Sequence, residues 1–372
     1  MPAPTGSAAW LAIAGALAVS AGITAIAIRY ARHRRLLDHP GARRSHSVPT
    51  PRGGGIGIVV AVLAFACVPD IVRGPAAPRA MAIALAVAVA IVAAVGWIDD
   101  HRGLPARTRF AAHCIAALAF LAPIVWSLLA FALEIGQAAS LSVAVIWLAM
   151  IAVAVAIVWS INLHNFMDGI DGLLAAQSIF VFAAIAALMA MRDADPRALE
   201  VAIFGAAVLG FLPFNFPRAR IFMGDVGSGV LGLLVAVAVL RLFGDRTIAY
   251  ATGLMLCSAF VVDATATLVS RVVRGRRWYS AHREHLYQWL VRSGFSHAGV
   301  VTLYMGWNLL VVVPVVAWIN RAPPTMDLDN PPLQRTGIAE AAAVYLLGIG
   351  VWILGKRRCL EAKKRRGADA AP

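Results

Sequence analysis

The sequence predicts an all-α polytopic membrane protein of about eleven transmembrane helices, forming one domain over residues 1–372. Three observations carry that prediction. Hydrophobic residues make up 60% of the chain and charged residues 14%, against about 45–50% and about 25% in an ordinary soluble domain; the mean hydropathy is +0.77. The apolar residues also gather into eleven runs, each within the roughly 17–25 residues that cross a bilayer as a helix. Finally, the 33 Lys and Arg are spread unevenly among the segments between the runs.

The runs cover 8–28, 54–72, 78–98, 110–131, 141–161, 173–191, 198–216, 226–243, 247–270, 299–319 and 338–355. Segments that follow odd-numbered runs hold 25 Lys and Arg, which leaves eight for the rest of the chain. Positive charge stays cytoplasmic. The N-terminus is therefore expected outside, and the basic tail over 356–372 ("KRRCLEAKKRR") in the cytoplasm, for a multi-pass membrane protein. Read this way, the net charge of +14 is an orientation signal with affinity for anionic head groups, not a nucleic-acid footprint. The first run is followed, not preceded, by its basic cluster, as in an uncleaved anchor. The four cysteines show no metal-ligand spacing and no disulfide framework. The Pro-rich stretch "APPTMDLDNPPLQ" at 322–334 reads as an outer spacer.

The unusual polar segments all follow odd-numbered runs, as they would in an active site built from cytoplasmic loops. The first reads "DHPGARRSHSVPTPRGGGIGI". Its glycines, Gly54 among them, open the second run as a helix start whose N–H groups suit a phosphate, with Arg43, Arg44, His46 and Arg52 as cationic donors. The alternative is a basic loop with glycines for helix packing. The second reads "GWIDDHRGLPARTRF". The adjacent Asp99 and Asp100 either share a proton, bind a divalent cation or activate a nucleophile, unless Arg102, Arg107 and Arg109 merely neutralise them.

The third segment, "NLHNFMDGIDG", has no Lys or Arg. Asn162, Asn165, Asp168 and Asp171 recur every third residue, so a helix would show them as one drifting stripe. Ionisable groups beside a span are functional and partnered by default; helix capping is the plainer alternative. In the fourth, "NFPRARIFMGDVGSGVLG", Asp225 opens a glycine-rich helix start suited to phosphate or metal–phosphate, or else caps it. Phe222 offers an aromatic face. The fifth, over 271–298, brings His282, Arg283 and His285 together after Arg274, Arg276 and Arg277, a set suited to a pyrophosphate. Asp263 lies inside the ninth run, with Arg271 or a cation of the site as its expected partner.

Carboxylates from several loops imply Mg²⁺, with Mn²⁺ as the alternative, since these ions take oxygen ligands and substrate phosphates. Glycine-rich helix starts with Arg and His imply a phosphorylated substrate. Metal-dependent phosphoryl transfer from a nucleotide to a lipid follows.

Five motifs in order, "SHSVPTPRGGG", the Asp99–Asp100 pair, "NLHNFMDGIDGL", "NFPRARIFMGDVGS" and "AHREHLYQ", make the chain resemble the polyprenyl-phosphate N-acetylhexosamine-1-phosphate transferases of glycosyltransferase family 4. The resemblance implies transfer of an amino-sugar 1-phosphate from a UDP-sugar to undecaprenyl phosphate, with release of UMP. It implies Mg²⁺ on Asp225 and Asp99, with the Asp99–Asp100 pair engaging metal and lipid phosphate. Asp168, Asn215 and Phe222 look like the uridine-binding set, completed by Asn165 and Asp171, while His282, Arg283 and His285 would cover the sugar and diphosphate. Arg44, His46 and Gly54 join the substrate-binding residues. The chain lacks the lysine-bearing loop and triple histidine of phospho-MurNAc-pentapeptide transferases, the alternative within the family, and "HREHLYQ" is closer to the branch initiating O-antigen and other surface polysaccharides. The sugar expected is N-acetylglucosamine or a 6-deoxy relative such as N-acetylfucosamine or N-acetylquinovosamine. The resemblance also allows a homodimer. The rival from another class is a lipid-linked-sugar transporter or flippase, which would place charged sites near the midplane on broken helices.

Overall fold

The computed structural model describes residues 6–38, 48–134, 139–193, 197–242, 247–277, 282–321 and 337–368. Within lipid a backbone must satisfy its own N–H and C=O groups, so each apolar run closes into a helix. Eight helices in order are α1 (Gly6–His33), α2 (Ile56–Arg73), α3 (Ala76–Arg102), α4 (Ala106–Glu134), α5 (Ala139–Met167), α6 (Leu173–Asp193), α7 (Arg197–Asn215) and α8 (Asp225–Leu242). They are followed by α9 (Thr247–Leu256), α10 (Ser258–Val273), the short α11 (Leu286–Arg292), α12 (His297–Arg321) and α13 (Ile338–Ala368). Among the described residues ten are long and apolar enough to cross a membrane, eleven if the bent pair α9–α10 is one span. The chain is a polytopic membrane protein.

At the centre stands α8, buried at every residue from Val226 to Val235. Its Gly227, Ser228, Gly229 and Gly232 leave little side chain between it and α2, α3 and α5, the packing that small residues permit in membranes. Lipid-facing helices show the opposite: Leu148, Ile151 and Val155 on α5 are exposed. The first helix packs on α2 and α7 through Ala16, Ser20, Thr24 and Ala27.

Three features depart from the sequence reading. The expected ninth span is broken, with its halves bent by 73° at Cys257. The carbonyl of Leu256, freed by the break, is met by Gln177 Nε2 at 3.2 Å, and Asn308 Nδ2 holds Gln177 Oε1 at 2.6 Å. Asn308 itself opens a π-helical turn in α12. Second, the last helix, α13, continues past the expected end of its run at 355 to Ala368. Third, the first loop contains a two-residue antiparallel pair, Leu37–Asp38 (β1) with Thr50–Pro51 (β2). The Pro-rich 322–334 stretch falls outside the described residues.

Candidate active site

The five polar segments meet at one end of the bundle. The first and fourth are joined by backbone: Phe222 N–H donates to Pro51 O at 2.8 Å, Gly54 N–H to Phe222 O and Gly55 N–H to Met223 O, both at 2.9 Å. Glycine is required at 55, because a Cβ there would lie 2.3 Å from Gly227 Cα. The N–H groups of Gly54 and Gly55 thus have protein acceptors, so these two do not supply the donors expected for a phosphate. The start of α8 is closed in the same way. Asp225 N–H and Val226 N–H donate to the Asp100 carboxylate at 3.1 and 3.3 Å, and those of Gly227 and Ser228 to Gly224 O. Arg44 and His46 lie outside the described residues.

The adjacent aspartates separate by environment. The Asp100 side chain is 2% exposed, accepts from Arg52 Nε at 3.0 Å and caps α8. Asp99 is 10% exposed and Asp225 24%. Nη1 of Arg109 lies 2.9 Å from an oxygen of each, so a single cationic nitrogen bridges two carboxylates. Asp99 also accepts from Leu104 N–H. Among the described residues no group of three His, Cys, Asp or Glu encloses a metal. Two carboxylates are nevertheless the donor set from which Mg²⁺ is held when substrate phosphates complete its shell. The residues fit the ion.

The third segment does not form one stripe, because α5 ends at Met167. Asn162 turns back to Val158 O at 2.7 Å, and Asn165 donates to Ser228 Oγ on α8 at 3.1 Å. Asp171 accepts from Ala219 N–H at 3.1 Å and faces His297 Nδ1 at 3.3 Å. Asn215 is used internally: its Oδ1 accepts from Gly172 N–H at 2.8 Å, and its Nδ2 donates to Ile221 O at 3.1 Å. Asp168 differs from all of these. Burial, reinforced by the charges of Asp225, Asp100 and Asp171, pushes its carboxyl up to about 8.

The fifth segment hangs from an acid inside the bundle. Asp263 accepts from Leu286 N–H at 2.7 Å, Tyr287 N–H at 3.3 Å, Tyr304 Oη at 2.7 Å, Trp352 Nε1 at 3.1 Å and Thr267 Oγ1 at 3.3 Å. The expectation that Arg271 pairs with Asp263 is corrected: Arg271 pairs with Glu284, as does Arg276 at 2.9 Å. Against the upward push of burial, these arginines hold Glu284 below the usual carboxylate range. From this anchor Tyr287 Oη reaches Phe166 O at 2.9 Å, and the His285 ring stacks toward Phe166 at 6.2 Å, so the arm docks on the third segment. Burial, with help from His285 and Arg271, lowers His282 to about 4; burial also lowers His285. Both shifts favour the neutral imidazole.

His297 and Tyr287 escaped the sequence reading as site residues, and Arg52 and Arg109, read there as a phosphate donor and a neutraliser of the Asp pair, were not matched to Asp100 and to Asp225. Their partners are far away in sequence, and charge pattern alone showed only basic loops.

A profile of glycosyl transferase family 4 matches residues 82–243, from α3 to the end of α8. The chain is 32% identical over 378 aligned positions, covering 91% of it and 90% of the relative, to the decaprenyl-phosphate N-acetylglucosaminephosphotransferase of Mycobacterium leprae. It is 27% identical to the probable undecaprenyl-phosphate N-acetylglucosaminyl 1-phosphate transferase of Bacillus subtilis, over 76% of this chain and 77% of that one. The undecaprenyl-phosphate alpha-N-acetylglucosaminyl 1-phosphate transferase of Escherichia coli K12 is 31% identical over 43% of this chain and 46% of its own.

The chain belongs to glycosyl transferase family 4. It is a membrane-embedded sugar-phosphate transferase. The matched profile takes in the second, third and fourth segments of the transferase, and with them Asp99, Asp100, Asp168 and Asp225.

Proposed function

We propose that the transferase moves N-acetylglucosamine 1-phosphate from its UDP derivative to a polyprenyl phosphate, releasing UMP and starting a lipid-linked cell-surface polysaccharide on the cytoplasmic side of the inner membrane. The observation that carries the reading is the pair Asp99 and Asp225, facing each other across Arg109, with the charge of Asp225 acting on the half-buried Asp168. The relatives' names support N-acetylglucosamine over the 6-deoxy sugars, and a polyprenyl chain of either length, decaprenyl or undecaprenyl.

In this reaction an oxygen of the lipid phosphate attacks the β-phosphorus of the UDP-sugar. The bond from that phosphorus to the bridging oxygen breaks, and the electron pair leaves with UMP. A divalent cation bound at Asp99 and Asp225 supplies charge neutralisation for the phosphates. Asp99, exposed enough to meet a reactant, orients the attacking phosphate. Asp100 has no free oxygen for that task and serves to fix α8 and Asp225. Arg109 balances the two carboxylates, and the neutral His282 and His285 donate hydrogen bonds to the diphosphate, with Arg283 adding positive charge. Asp168 is assigned to the uridine as hydrogen-bond partner.

The broken α9–α10 span and its intramembrane Asp263 are features a transporter would share. Asp263 instead spends both oxygens on five protein donors, which leaves nothing for a cargo. The test is UMP release from purified protein over a panel of UDP-sugars, with and without polyprenyl phosphate and Mg²⁺. UMP should appear only when all three are present, fastest with UDP-N-acetylglucosamine. Release without lipid, or with no UDP-amino sugar at all, would sink the proposal.

A further inference from the structure

Three buried polar atoms of one region have no hydrogen-bond partner among the described residues: Lys356 Nζ, His282 Nδ1 and His285 Nδ1. Lys356 belongs to α13, beyond the segments the family motifs mark, and is 5% exposed. Its place is set by the turn before it. Trp352 Nε1 donates to Asp263, and Gly355 lies so close to α11 that a Cβ there would be 3.1 Å from Leu286 Cδ1. Asp263 holds the start of α11, with His285 Nδ1 3.9 Å from its Oδ1 and the His282 ring 5.0 Å from that of His285. The positive charge of Lys356 acts on both histidines.

A lysine near a membrane surface ordinarily extends its amine into water or head groups. Here the amine is turned inward, 4.3 Å over the Trp352 ring, and enclosed. The carboxylates around it are engaged elsewhere: Glu284 with Arg271 and Arg276, Asp263 with its five donors. Among the described residues the region therefore has an enclosed amine and two imidazole nitrogens with no partner at hydrogen-bond distance. An anion with several oxygens satisfies such a set, and phosphate is the one the reaction brings.

We propose that Lys356 is a phosphate-binding residue of the transfer site, holding, with His282 and His285, a phosphate of a reactant. The last span thus contributes to the site, although its lysine falls within the basic stretch that orients the chain. The inference rests on the transferase reading above. Two sources share the chemistry, the lipid monophosphate and the diphosphate of the sugar donor.

Full-length Lys356→Met and Lys356→Arg proteins are assayed with polyprenyl phosphate and UDP-N-acetylglucosamine varied separately. Lys356→Met should raise the KM of one phosphate-bearing reactant about tenfold, and Lys356→Arg should recover most of it, as expected for a charge-assisted contact. A rise for the lipid assigns the lipid phosphate, and a rise for the donor assigns the diphosphate. Both KM values staying within about twofold of wild type in Lys356→Met overturns the proposal, as does an equal loss in the Met and Arg variants. Thermal-shift titrations with polyprenyl phosphate and with UDP-N-acetylglucosamine give a readout that needs no turnover: Lys356→Met should lose the shift from one, and retaining both counts against the site. Lys356→Gln substitutes if the Met variant melts early. Wild type that releases no UMP with any UDP-amino sugar refutes the transferase reading instead, and the titrations still decide Lys356.

Discussion

Among the described residues, Asp168 is the carboxylate of the cluster that no basic side chain meets. Asp99 and Asp225 share Arg109, Asp100 has Arg52, and Asp171 has His297. Burial and three neighbouring acids push the Asp168 carboxyl up to about 8 from a reference of 3.8. The folded protein therefore keeps a proton over a range where the unfolded chain has already lost it. The stability this adds is complete below a pH of about 4 and is lost as pH rises through about 8, at most about 1.4 kcal/mol per pH unit. In Mg²⁺-free buffer the melting temperature should fall between pH 5 and pH 8.5, and Asp168→Asn should flatten that fall. A variant that keeps the wild-type slope would show that another group holds the proton. The sequence made this residue conspicuous, as an acid with no Lys or Arg beside it in the chain. It could not show that the arginines of neighbouring loops go to other carboxylates, because that sorting is done by the packing of α3, α4 and α8.

At the scale of elements, two helix starts are capped by aspartates from elsewhere in the chain. Asp100 takes the first two N–H groups of α8 from 125 and 126 residues away, and Asp263 takes those of α11 from 23 and 24 residues away. A sequence reading looks for the cap next to the helix. That is why α8 looked like a phosphate-binding helix start and Asp263 like a partner for Arg271. The helices themselves were legible, since lipid leaves an apolar run no other way to satisfy its backbone. The break at Cys257 was not, because it depends on Gln177 from α6 meeting the freed Leu256 carbonyl. Asp263→Ala would leave two backbone N–H groups, Tyr304 Oη and Trp352 Nε1 without their acceptor. Hydrogen bonds to a charged group are worth about 1.5–3 kcal/mol each, so the variant should melt well below wild type. Limited proteolysis should then cut within 271–298 first, where the arm has lost its anchor. Asp263→Asn, which keeps one acceptor oxygen, should fall between the two. If Asp263→Ala cleaves like wild type, the arm is held by something other than Asp263.

For the whole molecule, charge placement and site geometry bear on one question, the side of the membrane the site faces. The segments that follow odd-numbered spans hold 25 of the 33 Lys and Arg. The described parts of those segments are also the ones the fold brings together, through Pro51–Phe222, Arg109–Asp225, Asp171–Ala219 and Tyr287–Phe166. An end rich in Lys and Arg stays in the cytoplasm, where nucleotide sugars are made, so the orientation that charge dictates is also the one the proposed donor requires. With the bent pair taken as one span, the total is odd and the two termini are expected on opposite sides. A fluorescent protein that matures only in the cytoplasm should therefore glow when fused after Pro372. Alkaline phosphatase, active only outside, should be silent at that point and active when fused after Asp193, past α6. The reverse pattern would place Asp99, Asp168 and Asp225 on the outer face, beyond the reach of a cytoplasmic UDP-sugar, and the positive-inside reading and the proposed donor would fall together.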